Sequence, residues 1–156
     1  MPVDISIAAG LTADAARLEG AARHLLISIG HARGELGVSL VGDNTIKELN
    51  RRYRKCDEST DVLAFSQVDG QPTAPSGPTV LGDVVISVET ANRQADCGGW
   101  SIEEELNRLL VHGLLHLVGY DHEAGGDEAI RMKREEERLG LALREAGYPC
   151  AGDEVP

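Results

Sequence analysis

The chain has 156 residues, of which 26 are acidic and 15 basic, for a formal net charge of -11. That length suits a single domain, residues 1–156, able to bury about 70% of the surface its unfolded form would expose without covalent staples. Three widely spaced cysteines, Cys56, Cys97 and Cys150, argue against a disulfide framework or a thiolate zinc site, and no apolar run approaches the ~18 residues of a membrane span, so the expectation is a soluble cytoplasmic protein with no membrane partner.

Val3, Ile5 and Ile7 alternate with polar or small residues, as in a half-buried strand. Thr12 is placed to cap a helix whose Ala15, Leu18, Ala22, Leu25, Leu26 and Ile29 recur at helical spacing, and Gly30 to end it. Leu36, Val38 and Leu40 alternate again. Asp43 or Asn44 then caps a second helix, with a buried stripe predicted at Ile46, Leu49 and Tyr53 and with Arg51, Arg52 and Lys55 outward. Asp61 to Gln67 reads as a strand. Three prolines and two glycines make residues 69–78, DGQPTAPSGP, a loop.

Val80 to Glu89 is the strongest strand pattern, with Val84, Ile86 and Val88 on one face, and Glu89 to Ala95 follows as a short helix ended by Gly98 and Gly99. Ser101 with Glu104 forms a capping box, opening a helix through Leu106, Leu109, Leu110, Leu114 and Leu117. A last helix, about Asp127 to Ala146, is amphipathic through Ile130, Leu139 and Leu143, and residues 149–156 are expected to form a flexible tail. These elements predict an α+β fold, a small mixed four-stranded sheet packed with helices.

The segment HGLLHLVGYDH, residues 112–122, holds three of the five histidines. His112 and His116, four residues apart on the helix opened by Ser101, lie about 40° apart around its axis, so both imidazoles can reach one ion. On a continuing helix His122 would point about 240° away from His116, so the helix must break, and Gly119 is the residue that most easily takes the left-handed conformation needed. Three imidazoles suit one ion per chain, Zn²⁺ best among the common ones with iron, nickel and copper as alternatives, and three protein ligands leave a fourth position for water, as in catalytic sites. Asp121 is placed to orient a ligand, or is an exposed loop carboxylate; His24 and His31 read as structural or solvent-facing.

The spacing is that of the metzincin proteases, H-E-x-x-H-x-x-G-x-x-H, giving a metzincin-like metal helix, but Gly113 stands where their general-base glutamate would be. Peptide hydrolysis is therefore the weaker reading, and the glycine suggests close approach of another part of the chain. Glu105, seven residues before His112 on roughly the same face, is the one candidate base, set against its reading as a solvated charge.

Charge is unevenly distributed. Residues 1–60 carry eight acidic and eight basic side chains, residues 61–122 nine against two, and residues 123–156 nine against five. Within the balanced part, Lys47 to Lys55 holds five positive charges and one negative, the one concentrated basic feature in a chain otherwise ill suited to phosphate backbones.

Together LLVHGLLHLVGYDH, LNRRYRKCDESTDVLAFS (residues 49–66) and LGDVVIS (residues 81–87) resemble the YbeY family of rRNA maturation factors, which are similar to single-metal endoribonucleases. The likeness runs from about residue 36 to 140 and departs at Ala64 and Ser66, where the family usually has serine and proline. It implies metal ligands at His112, His116 and His122 and the family's arginine at Arg54. The implied function is single-strand-specific, metal-dependent endoribonuclease action in small-subunit rRNA maturation and ribosome quality control, with RNA and the ribosomal small subunit or its assembly proteins as partners. The chemistry of the residues agrees: zinc-activated water attacks the phosphodiester, Arg54 stabilises phosphate charge through its planar fork, and Arg51, Arg52 and Lys55 hold flanking phosphates. Two rivals are a metallohydrolase of a non-RNA substrate and a non-catalytic, zinc-stabilised ribosome-assembly factor whose acidity suits basic ribosomal proteins.

Overall fold

The structure, a computed structural model, describes residues 3–67, 79–120 and 126–152. In chain order the elements are β1 (Val3–Ile7), α1 (Ala15–Ser28), β2 (Gly34–Val41), α2 (Asp43–Arg54), β3 (Val62–Ser66), β4 (Thr79–Ser87), α3 (Val88–Gly98), α4 (Ile102–Leu117) and α5 (Gly126–Glu145). They form the expected α+β fold, around one four-stranded mixed sheet of order β1-β2-β4-β3. β2 pairs in parallel with both β1 and β4, while β3 runs antiparallel to β4 at the edge. The proline-rich stretch 69–78 lies outside the described residues.

Alternation along the strands decides which helix covers which face. Val3, Leu36, Val38, Leu40, Val84 and Ile86 join α1 and α4 in the main core, which α5 closes from outside with Met132, Leu139 and Leu143. On the opposite face Leu63 and Val85 pack with Ile46 of α2 in a smaller cluster. The sheet is thus sandwiched at the end where α2 meets β3, and that places the basic helix beside the edge strand.

Several local readings are corrected. Helix α1 is capped by Asp14, whose carboxylate accepts from the Arg17 amide at 3.1 Å, instead of by Thr12. Gly42 precedes α2, and Asp43 is its first residue, turned toward other partners. Val88 begins a helix instead of ending a strand, because the Ser87 hydroxyl accepts from the Thr90 amide and caps α3 there. Two residues assigned to buried stripes, Tyr53 and Ile130, are 59% and 51% exposed; Asn50 and Met132 occupy the inward positions nearby. The expected tail is docked at its start: Cys150 and Ala151 are buried, Asn107 donates to the Pro149 carbonyl at 2.7 Å, and the Ala151 amide donates to Glu104 O at 3.1 Å.

Candidate metal centre and its basic flank

Helix α4 starts where the sequence places it. The Ser101 hydroxyl accepts from the Glu104 amide at 3.1 Å, and the Glu104 carboxylate accepts from the Ser101 amide at 3.0 Å. Leu106, Leu109, Leu110, Leu114 and Leu117 are all buried and fix the rotation of the helix against the sheet. Gly113 shares that inward face. A Cβ built on it would stand 2.7 Å from Val84 Cγ1 and 3.2 Å from Val62 Cγ2, so the helix rests on β3 and β4 at a point with no room for a side chain. This explains the missing protease-like glutamate: a carboxylate at 113 would be driven into the sheet.

His112 and His116 share the next face. Their Nε2 atoms lie 3.2 Å apart, with rings at 72° to each other. Two nitrogens bound to one tetrahedral zinc at about 2.0–2.1 Å are about 3.3 Å apart, so this pair already has the edge length of a zinc tetrahedron. His112 Nδ1 lies 2.7 Å from Glu136 Oε2, a contact that suits the tautomer with hydrogen on Nδ1 and the lone pair on Nε2, the atom facing His116. The donor set therefore fits an ion that favours imidazole.

The helix stops as expected. Gly119 has φ of +104°, its amide donates to His116 O at 3.1 Å, and the Tyr120 amide donates to Leu115 O at 3.0 Å. His122, the third expected ligand, and Asp121 lie outside the described residues. Among the described residues no group of three histidine, cysteine or acidic side chains surrounds a common point, so two of the three expected ligands are in view.

Glu105 is neither a base beside the imidazoles nor a solvated charge. It is completely buried, and accepts from Trp100 Nε1 at 2.7 Å and from Arg108 Nε at 3.0 Å and Nη2 at 2.6 Å. Those bonds engage both oxygens and tie the first turns of α4 to Trp100 in the connection that precedes it. His31 is likewise structural, buried where α1 ends, with its amide donating to Leu26 O at 2.8 Å.

The basic segment forms the last turn of α2. Arg54 Nη2 donates to the Ala64 carbonyl of β3 at 3.1 Å, which anchors one edge of the guanidinium while the side chain stays exposed. Tyr53 lies edge-on to Phe65 of the same strand, centroids 5.5 Å apart. Arg51 and Arg52 both pair with Glu48, whose carboxyl the Arg51 hydrogen bond holds below its ordinary value. Lys55 ends the helix in the left-handed region at φ of +60°. Among the described residues neither Arg54 nor Lys55 has a carboxylate partner.

Strand β3 connects this segment to the histidine helix. Ala64, which holds Arg54, lies between Val62, which faces Gly113, and Ser66, whose hydroxyl donates to Leu117 O at 3.3 Å. Strand β3 thus touches both segments, α2 across one face of the sheet and α4 across the other. Sequence reasoning missed Glu136. Its signal was present: Met132, Glu136, Leu139 and Leu143 recur at helical spacing, so an acid stands on the inward stripe of α5.

Comparison with known proteins follows the same lines. A family model described as "Endoribonuclease YbeY" matches residues 11–144. A protein named Endoribonuclease YbeY from Myxococcus xanthus is 47% identical over 139 residues, covering 88% of this chain and 47% of its own, so the chain spans about half the length of that relative. Its namesake from Aquifex aeolicus is 47% identical over 130 residues, covering 83% of this chain and 84% of its own, and that from Geobacter metallireducens is 41% identical over 132 residues, covering 84% and 87%. The solution structure of TM1509 from Thermotoga maritima superposes with a TM-score of 0.63 at 26% identity, covering 93% of this chain and 91% of that one.

Proposed function

Because this chain belongs to the YbeY family of endoribonucleases, hydrolases that act on RNA, we propose that it cleaves single-stranded RNA at one zinc ion held by His112, His116 and His122. Its place of action is the maturation of small-subunit rRNA and ribosome quality control, in the cytoplasm, with the small subunit or its assembly proteins as partners. No helix among the described residues is long and apolar enough to cross a membrane. The observation that carries the reading is the pair of Nε2 atoms 3.2 Å apart on a helix that rests on β3, the strand whose Ala64 carbonyl holds Arg54. When bound, zinc at such a site would supply Lewis acidity toward a phosphoryl oxygen and make its bound water far more acidic than bulk water.

The chain's own residues bind and orient the substrate. Arg54 has one N–H committed to Ala64 O, which fixes the guanidinium plane and leaves the rest of the fork for two non-bridging phosphate oxygens, a bidentate grip that a lysine lacks. Lys55 adds a second positive charge for a neighbouring phosphate. Arg51 and Arg52 are weaker contacts, since Glu48 already balances part of their charge. With net charge -11 the rest of the surface repels RNA, so attraction concentrates at this flank. Gly113 argues against a peptidase of the metzincin kind, because the sheet leaves no room there for the general-base glutamate.

The test compares zinc-loaded protein with His116→Ala and Arg54→Ala on single-stranded and structured RNA. Cleavage of the single strand should disappear in His116→Ala. In Arg54→Ala it should fall by about 10²–10³-fold, the usual cost of losing a charge-stabilising donor, while zinc stays near one per chain. Unchanged cleavage in Arg54→Ala would remove that arginine from the mechanism.

A further inference from the structure

We propose that Glu136 is the positioning residue of the metal site, holding the His112 imidazole in the tautomer and orientation that present Nε2 to the ion. The proposal rests on the reading that His112 and His116 bind a metal. Glu136 comes from a different helix, 24 residues further on, and its Oε2 stands 2.7 Å from His112 Nδ1. Its side chain is 18% exposed and that of His112 26%, so the bond is largely shielded from water.

The placement is forced by the packing of α5. Met132, Leu139, Gly140 and Leu143 are buried against the core, and Glu136 falls one turn after Met132 and one before Gly140, on the same stripe. The outward faces of α5 carry acids and bases that pair with each other, Glu128 with Arg131 and Glu135 with Arg138. Glu136 instead points at an imidazole, where an apolar residue would serve packing better.

The consequence follows from donor chemistry. An ionised carboxylate only accepts, so the Nδ1 facing it must carry the hydrogen. In a neutral ring that leaves Nε2 as the lone-pair atom, and Nε2 is the nitrogen 3.2 Å from its counterpart on His116. Without Glu136 no carboxylate faces Nδ1 to set which nitrogen bears the hydrogen. An ion would then have to select one arrangement among several, and its affinity would fall. Outer carboxylates on metal-bound histidines typically change affinity by about 10–100-fold.

The experiment uses the full chain. Zinc affinity is measured by competition with a chromophoric chelator for wild type, Glu136→Ala and Glu136→Gln. Ring ¹⁵N–¹H correlation spectra of zinc-free protein report the His112 tautomer, and thermal unfolding of zinc-free protein reports the fold. Wild type should show a single Nδ1–H tautomer. Glu136→Ala should lose it and bind zinc about 10–100-fold more weakly. Glu136→Gln, whose amide oxygen accepts the same hydrogen, should keep the tautomer and bind with intermediate affinity. A purely structural role would lower the unfolding temperature without moving tautomer or affinity, and would overturn the proposal. Should the alanine variant not fold, the glutamine variant decides: affinity below wild type supports the assignment, and wild-type affinity defeats it. A folded wild type that binds no zinc would defeat the metal reading, and this inference with it; zinc binding that ignores Glu136 would defeat the inference alone.

Discussion

Two carboxylates serve opposite ends of helix α4, one from within it and one from α5. Glu105, near the N-terminus, is fully buried, and its oxygens accept from the Trp100 indole and the Arg108 guanidinium. Glu136 reaches the other half of the helix and accepts from a ring whose second nitrogen faces another imidazole. The first arrangement is closed, since the carboxylate is enclosed by an indole from the junction before α4 and a guanidinium of α4 itself. The second is open, since satisfying Nδ1 leaves Nε2 aimed at a shared point. Burial alone does not separate a structural carboxylate from a functional one; what its partner does with its remaining atoms does.

The largest expected effect breaks the closed end. Glu105→Ala takes this acceptor from the Arg108 charge and the Trp100 N–H, and should cost on the order of 3 kcal/mol of stability in urea unfolding of zinc-free protein. Zinc affinity per folded molecule should not change. His116→Ala should do the reverse, abolishing zinc binding and cleavage while moving zinc-free stability by less than about 1 kcal/mol, as for other partly exposed positions. If Glu105→Ala also weakened zinc binding, the two ends of the helix would be coupled and the contrast would fail.

Gly113 sits beside His112 and sharpens the contrast. Gly113→Ala places a methyl 2.7 Å from Val84 Cγ1, and should destabilise by about 1–3 kcal/mol through overpacking, partly offset by the better helix propensity of alanine. Gly113→Glu restores the protease-like motif in sequence alone. It should yield less folded protein and no peptidase activity, measured against a fluorogenic peptide, because the carboxylate meets the sheet instead of the ion.

Much of this was legible in the sequence because it depends on local chemistry. The capping box at Ser101, the break at Gly119, the four-residue spacing of His112 and His116 and the order of the elements are properties of short windows. Readings that failed needed knowledge of a distant partner. Tyr53 fits a helical stripe, but it turns outward to meet Phe65, and Asn50 goes inward because its amide can donate to the Glu58 carbonyl at 2.9 Å. Ile130 is exposed near the start of α5, while Met132, two residues on, faces the core. Glu105 looks like a surface acid until Trp100 and Arg108 are seen to enclose it. Glu136 has a periodic signal, yet nothing in its own helix says that His112 lies opposite.

Asp43 gives the smallest effect and a third case for the comparison. Its carboxylate accepts from the Ser87 and Thr90 hydroxyls, each at 2.6 Å, and from Arg93 at 2.8 Å, joining the starts of α2 and α3. Partial burial pushes its pKa up, but the hydrogen bonds from Ser87, Thr90 and Arg93 outweigh it, and the group titrates below its ordinary value of 3.8. A lowered folded-state pKa means the contribution is complete above the ordinary value and disappears as pH falls through the lowered one. Asp43→Asn should therefore cost about 1 kcal/mol at neutral pH, discounted for the exposed Arg93, and the gap from wild type should close on acidification below about pH 4. Unfolding temperatures across that range measure it. A gap that stayed constant with pH would mean that shape, and not ionisation, makes this cluster hold, and would move Asp43 away from the enclosed, charged pattern that Glu105 exemplifies.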